Sequence, residues 1–87
     1  MNKTEKALIN ALGNARKNPN TKQRVEGVNS TSFSEPYYLK LILDKEGYEK
    51  EWQLWVSSEG KWRKEATLSA DYDDHSVILA LSAFIRW

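Results

Sequence analysis

The chain has 87 residues and a formal net charge of +1 at neutral pH, which leaves room for one small domain. It has no cysteine and a single histidine, which excludes a disulfide scaffold, a thiol nucleophile and metal sites built from clustered thiolates or imidazoles. No apolar run approaches the roughly 18 residues that cross a membrane, and no export signal is evident, so we expect a cytoplasmic protein.

The first predicted element is a helix over residues 3–17. Asn2 is a suitable N-cap residue, and Glu5 stands three positions later, as in a capping box. Gly13 weakens the middle of the helix, and Asn18-Pro19 ends it. The apolar residues that recur at helical spacing are Leu8, Ala11, Leu12 and Ala15.

Positive charge is concentrated in and just after this helix. Residues 1–34 contain six basic and two acidic side chains, whereas residues 35–87 contain seven basic and ten acidic ones. The densest part of this charge lies on Arg16, Lys17, Lys22 and Arg24. Such a run occurs in contacts with phosphates or with an acidic protein surface, but more often it is a solvated helix end and loop.

The segment that follows, residues 18–36, is polar and is predicted as a loop. Loops of this length are uncommon within a small domain. An alternative is that residues 23–29 pair as a short edge strand. Both interpretations stay open from the sequence.

Residues 37–69 predict a three-stranded antiparallel meander. Apolar and polar residues alternate with a strand's period of two, which gives strands over 37–44, 48–57 and 61–69. Gly47 and Gly60 lie in the two intervening turns, where positive φ angles are common.

The alternation also assigns side chains to the two faces of the sheet. It places Trp52 and Trp62 in the core. The opposite face receives a group of large side chains: Tyr38, Ile42, Trp55 and Arg63. We expect Trp55 to lie opposite Arg63 in a cation–π pair. Aromatic residues and arginine are favoured at binding hot spots, so these four form the candidate partner-binding patch.

The last predicted element is a helix over residues 72–86, which begins within the acidic run 71–74. Acidic side chains favour a helix start because they satisfy free amides and complement the helix dipole. Val77, Ile78, Leu81, Phe84 and Ile85 form its apolar stripe. The predicted fold is therefore α+β, a two-layer arrangement in which both helices cover the core face of the meander.

One cluster near this helix start has the composition of a catalytic or metal site. Asp71 and His75 lie one turn apart on a helix, and Asp74 is beside them. The simpler interpretation is a helix start decorated with acidic residues. No Ser–His–acid order and no phosphate-binding glycine loop accompanies the cluster, so we expect no catalytic activity, no metal and no cofactor.

The order helix, meander, helix resembles the architecture of the double-stranded RNA-binding domain, over most of the chain. That resemblance implies phosphate contacts from the start of the second helix, which is lysine-rich in the family. Here the corresponding positions are Asp71, Asp73 and Asp74, which repel phosphate, and no motif of the family matches residue by residue.

The function we expect is that of a small non-enzymatic binding module that occupies a surface on a protein partner. Compact, cysteine-free chains of this kind are typical of phage and mobile-element inhibitors or immunity proteins, which is an analogy. The alternative is nucleic-acid binding through the basic segment 16–24, with Tyr38 or Trp55 stacking on bases. An exposed sheet face or edge strand also allows homodimerisation.

Overall fold

A computed structural model describes residues 2–29 and 35–85. The elements are α1 (Lys3–Lys17), β1 (Gln23–Asn29), β2 (Pro36–Leu43), β3 (Glu49–Ser58), β4 (Lys61–Ser69) and α2 (Asp74–Ser82). The four strands form one antiparallel sheet in the order β1-β2-β3-β4. The predicted α+β fold, with a helix before and a helix after a meander, is confirmed, and the sheet gains a fourth strand.

Helix α1 begins and ends where the sequence predicts. The Asn2 side chain accepts a hydrogen bond from the Glu5 backbone N–H at 2.8 Å, as an N-cap does. At the other end the backbone N–H of Asn18 donates to the Asn14 carbonyl. The face that α1 buries consists of Thr4, Ala7, Leu8, Ala11, Leu12 and Ala15.

Strand β1 confirms the edge-strand alternative for residues 23–29, because that part of the predicted loop 18–36 pairs with β2 at the edge of the sheet. Val25 and Val28 are completely buried, which fixes the strand on the core. The pairing with β2 is irregular between Arg24 and Asn29, and Gly27 within that stretch has φ +77°, a conformation that favours glycine. Residues 30–34 of the predicted loop lie outside the described residues.

A β-bulge in β4 changes which side chains share a face. Leu54 pairs with Ala66, but the next residue, Trp55, pairs with Lys64, so Glu65 is an additional residue in β4. Before the bulge the side chains of β4 therefore point to the faces opposite to those predicted.

The bulge changes the positions of Trp62 and Arg63 relative to those predicted, whereas Trp52 keeps its position. Trp52 is buried in the core, as predicted, but Trp62 is 47% exposed, so its predicted core position is wrong. Arg63 pairs with Val56, and Lys64 takes the position opposite Trp55. The predicted cross-strand pair of Trp55 with Arg63 is therefore also wrong.

Helix α2 is shorter than the predicted 72–86. It begins after Asp73, whose side chain accepts a hydrogen bond from the Ser76 N–H at 2.8 Å, and it ends at Ser82. Residue 86 lies outside the described residues. The buried residues of this part of the chain are Val77, Ile78, Leu81 and Ile85.

Both helices cover the same side of the sheet. Helix α1 packs on β1, β2 and α2, and the buried residues of both helices belong to one core cluster with those of the strands. We call the opposite side of the sheet the outer face; among residues 2–29 and 35–85, no helix covers it. Neither helix in the described part of the chain is long and apolar enough to cross a membrane.

The two tryptophans give a direct test of the bulge. We expect Trp52→Ala to lower the free energy of unfolding by about 3–5 kcal/mol, because it removes a buried ring from the core. Trp62→Ala should lower it by about 1 kcal/mol or less, because that ring is half exposed. Urea unfolding followed by circular dichroism measures both values. Equal losses for the two variants would contradict the placement of Trp62.

Candidate functional site

Three aromatic side chains meet on the outer face. Tyr38 of β2 and Trp55 of β3 pair across the sheet, and Trp62 reaches over from β4. The Tyr38 and Trp62 rings meet edge to face, with centroids 4.9 Å apart and planes at 84°. This is a favourable aromatic geometry, so the three residues, here called the aromatic cluster, form one packed group.

Lys22, which precedes β1, adds a cation to the aromatic cluster. Its Nζ lies 4.7 Å from the centroid of Trp55 and 4.5 Å from that of Trp62. Both distances are within the range of a cation–π interaction. One ammonium group therefore contacts two indole rings and links the segment before β1 to β3 and β4.

The backbone before β1 is held in place by Asn20. Its N–H donates to the Leu41 carbonyl at 2.7 Å, and its Oδ1 accepts from the Leu43 N–H at 3.2 Å. Asn20 has φ +64°, a left-handed conformation that asparagine tolerates better than most residues. These two bonds to β2 position Lys22 two residues later.

Trp55 is also oriented by a polar ladder along β3. Its Nε1 donates to Gln53 Oε1 at 3.0 Å, and Gln53 Nε2 donates to Glu51 Oε2 at 2.6 Å. The three side chains alternate with the buried residues of β3, so they lie together on the outer face. The indole is thus fixed by hydrogen bonding as well as by ring contacts.

The surroundings of the aromatic cluster are positively charged. Arg24 pairs with Tyr38, and Lys64 pairs with Trp55. Lys40 lies two residues from Tyr38 on the same face of β2. Lys40 and Lys64 make no ion pair among the described residues, and Arg24 has one at 3.8 Å, to Glu26, with both partners largely exposed. Exposed pairs of this kind contribute little, so the cations are available to an anionic partner.

The predicted patch is only partly brought together. Tyr38 and Trp55 are adjacent, as predicted. Ile42 shares the outer face but lies four residues further along β2, about 13 Å from Tyr38 at the usual strand rise. Arg63 leaves the group because of the bulge, and Trp62, which was predicted to lie in the core, joins it.

The four basic residues predicted to contact nucleic acid also separate. Lys22 and Arg24 lie at the outer face, Lys17 is exposed at the end of α1, and Arg16 lies on the helix side. The side chain of Arg16 is bound by two carboxylates. It donates to Asp74 through both terminal nitrogens at 2.7 Å, and its Nε donates to Glu49 at 3.0 Å.

Arg16 therefore joins α1, α2 and the start of β3. Its guanidinium also lies over the Trp52 ring, 5.3 Å from the centroid. The hydrogen bonds that Arg16 donates to Asp74 and Glu49 raise the pKa of Arg16 above its ordinary value, and the bonds from Arg16 lower the pKa of Asp74. Arg16 is thus a structural ion-pair partner rather than a free cation.

The acidic cluster at the start of α2 does not assemble a metal site. In the described part of the chain, no three acidic, histidine or cysteine side chains come together as metal ligands. Both carboxylate oxygens of Asp74 accept from Arg16, and Asp73 caps α2 through Ser76. The bond from the Ser76 backbone lowers the pKa of Asp73. These contacts are those of a helix start.

Comparison with known proteins adds no relative. The sequence matches no family model, and neither the curated proteins nor the solved structures give a match. The assignment of a site therefore depends on the geometry of the outer face.

The ion pair between Arg16 and Asp74 makes stability depend on pH. Because the folded-state pKa of Asp74 is lowered, the stabilisation is present above the unfolded value of about 3.9 and is lost as the pH falls through the lower folded value. We expect Asp74→Asn to lower the free energy of unfolding at pH 7 by about 1 kcal/mol or less, since both side chains are partly exposed.

The measurement is urea unfolding of both proteins from pH 7 to pH 2. The difference between them should shrink below about pH 4. Asp71→Asn is the matched control, because Asp71 makes no ion pair in the described part of the chain. A difference that stays constant down to pH 2 would refute the assignment of the ion pair.

Proposed function

We propose that this chain is a small non-enzymatic binding module that occupies a surface on a protein partner with its outer face. The observation that carries the proposal is the aromatic cluster, which lies on a sheet face that no described helix covers. Tryptophan and tyrosine are the residues most enriched at binding hot spots.

The aromatic cluster suits this role because its conformation is fixed before any partner arrives. Lys22, Gln53 and the edge-to-face contact each restrain a ring. A surface that is ordered in advance loses less conformational entropy on association. The half-exposed Trp62 is the ring that extends furthest into solvent and is therefore the expected anchor.

The charges around the aromatic cluster suggest which surface the partner presents. Lys22, Arg24, Lys40 and Lys64 are the basic residues at or beside it. The nearby acids are Glu51, which accepts a hydrogen bond from Gln53, and Glu26, which pairs with Arg24. Charge complementarity favours a partner whose contact surface is acidic around an apolar centre.

The test compares two exposed aromatic residues. The partner is first identified by co-purification with the tagged chain, with and without nuclease treatment. We then expect Trp62→Ala to weaken the purified complex at least tenfold in isothermal titration calorimetry, as the loss of an anchor does. Tyr48→Ala is the control, because Tyr48 is 72% exposed in the turn between β2 and β3 and lies outside the aromatic cluster. Equal effects of the two variants would exclude the outer face as the interface.

A second candidate function is the binding of single-stranded nucleic acid by the same face. The observation that favours it is that Lys22 and Arg24 lie beside Trp55 and Tyr38, so cations and rings share one surface. Grooves of this composition bind backbone phosphates through the cations and bases through the rings.

Salt dependence separates the two candidates. If nucleic acid is the ligand, the affinity for a fluorescent 12-nucleotide single strand should fall steeply as salt rises, and Lys64→Ala should reduce the slope. Fluorescence anisotropy between about 50 and 200 mM salt measures this, with Lys45→Ala, in the turn between β2 and β3, as the charge-matched control. Binding that does not depend on salt, or no binding at all, would leave the protein partner as the proposal.

The proposal also includes an origin from a phage or mobile element and a cytoplasmic location. An inhibitor or immunity protein of a phage or mobile element, acting in the cytoplasm, matches a small module that works by covering a surface. Homodimerisation through the outer face is the competing outcome. Sedimentation equilibrium would detect it as a dimer that Trp62→Ala dissociates.

A further inference from the structure

A groove lies between the two helices, on the opposite side of the molecule from the outer face. Its volume is about 460 Å³, which is within the range of small-molecule sites. Both apolar and polar side chains line this groove. Its lining includes Glu5, Ile9, Gly13, Arg16, Asp74 and Ile78.

Gly13 has no side chain and leaves open space in this groove. No packing contact within the described residues requires a glycine at this position. A glycine inside a helix lowers helix stability relative to alanine. Gly13 is not among the residues with positive φ, and a Cβ built on it meets no atom within 4 Å. Ile9, one turn earlier on α1, is 40% exposed at the same groove. An empty space beside an exposed isoleucine is what a ligand that packs there requires.

The charges around the groove favour a cation. Arg16 is bound by the carboxylates of Asp74 and Glu49, so one guanidinium faces two carboxylates. Of these two carboxylates only Asp74 lines the groove; Glu5 adds a second carboxylate to the lining, and its side chain has no hydrogen-bond or ion-pair partner among the described residues. The described lining therefore has two carboxylates, Glu5 and Asp74, for one guanidinium, that of Arg16.

The geometry points to a binding site for a small amphipathic cation, an apolar body that carries one amine. The apolar body packs against Ile9 and Ile78 in the space beside Gly13, and the ammonium group pairs with the Glu5 carboxylate. This site goes beyond the proposed function, because it uses no residue of the outer face.

Three probes with the same apolar body and different head groups test the proposal: hexylammonium, 1-hexanol and hexanoate. Each is titrated into the full ¹⁵N-labelled chain at neutral pH, and amide shifts are followed by NMR. We expect shifts around Ile9, Gly13 and Ile78. The ammonium should bind at least threefold more tightly than the alcohol, and the carboxylate most weakly.

Two variants examine the apolar and the charged part separately. Gly13→Leu fills the groove and should weaken hexylammonium at least tenfold, whereas Asn14→Leu, exposed on another side of α1, should leave its affinity unchanged. Glu5→Gln should remove the preference for the ammonium over the alcohol while leaving the alcohol's affinity as it was.

The proposal is overturned if hexanoate binds as tightly as hexylammonium, or if no probe shifts the groove residues up to 20 mM. It is also overturned if Gly13→Leu, folded as judged by its amide spectrum, binds like the parent chain. A Trp62→Ala variant should bind hexylammonium normally, so the outcome here is independent of the outer face.

Discussion

The outer face of this sheet depends on one additional residue, Glu65 in β4. Side chains alternate between faces with a period of two, so a single extra residue exchanges the faces of the residues before it in β4. Without it, Trp62 would share a face with the buried Val56, and Arg63 would lie on the outer face. With it, a third aromatic ring is added to the aromatic cluster and an arginine is removed. The candidate site is therefore a consequence of strand register rather than of composition.

The contacts within the aromatic cluster hold its rings in place, and one of them also covers part of the ring surface. Lys22 lies over two indole rings, so a partner that approaches those rings also meets the ammonium. A partner with an acidic group beside an apolar one can pair with Lys22 without displacing it, whereas a purely apolar partner must desolvate the charge. This asymmetry is the physical reason for preferring an acidic surface over an apolar one as the ligand of the outer face.

The sequence predicts those parts of the fold whose signals are local. Helix α1 has a cap at Asn2 and a regular apolar stripe, and β2 and β3 alternate strictly, so their positions follow from periodicity. Strand β1 has Val25 and Val28 three residues apart around Gly27, which breaks the period of two. The first half of β4 contains one apolar residue, so no alternation there reveals a bulge. Tyr38 and Trp55 are thus predictable, whereas the contributions of Trp62 and Lys22 depend on long-range register.

The basic residues at the end of α1 and just after it show that charge, too, cannot be assigned to a surface from sequence order alone. These residues are close in the sequence but lie in different layers: Arg16 joins the helices to β3, whereas Lys22 and Arg24 face outward from the sheet. Among the described residues, Arg16 is the one lysine or arginine in the lining of the helix groove and is bound by two carboxylates, whereas the outer face keeps several basic side chains. A chain with a formal net charge of +1 thereby presents a positive outer face and a negative helix groove. The two proposed sites would then attract ligands of opposite charge to opposite sides of the molecule, and binding at one would not compete directly with binding at the other.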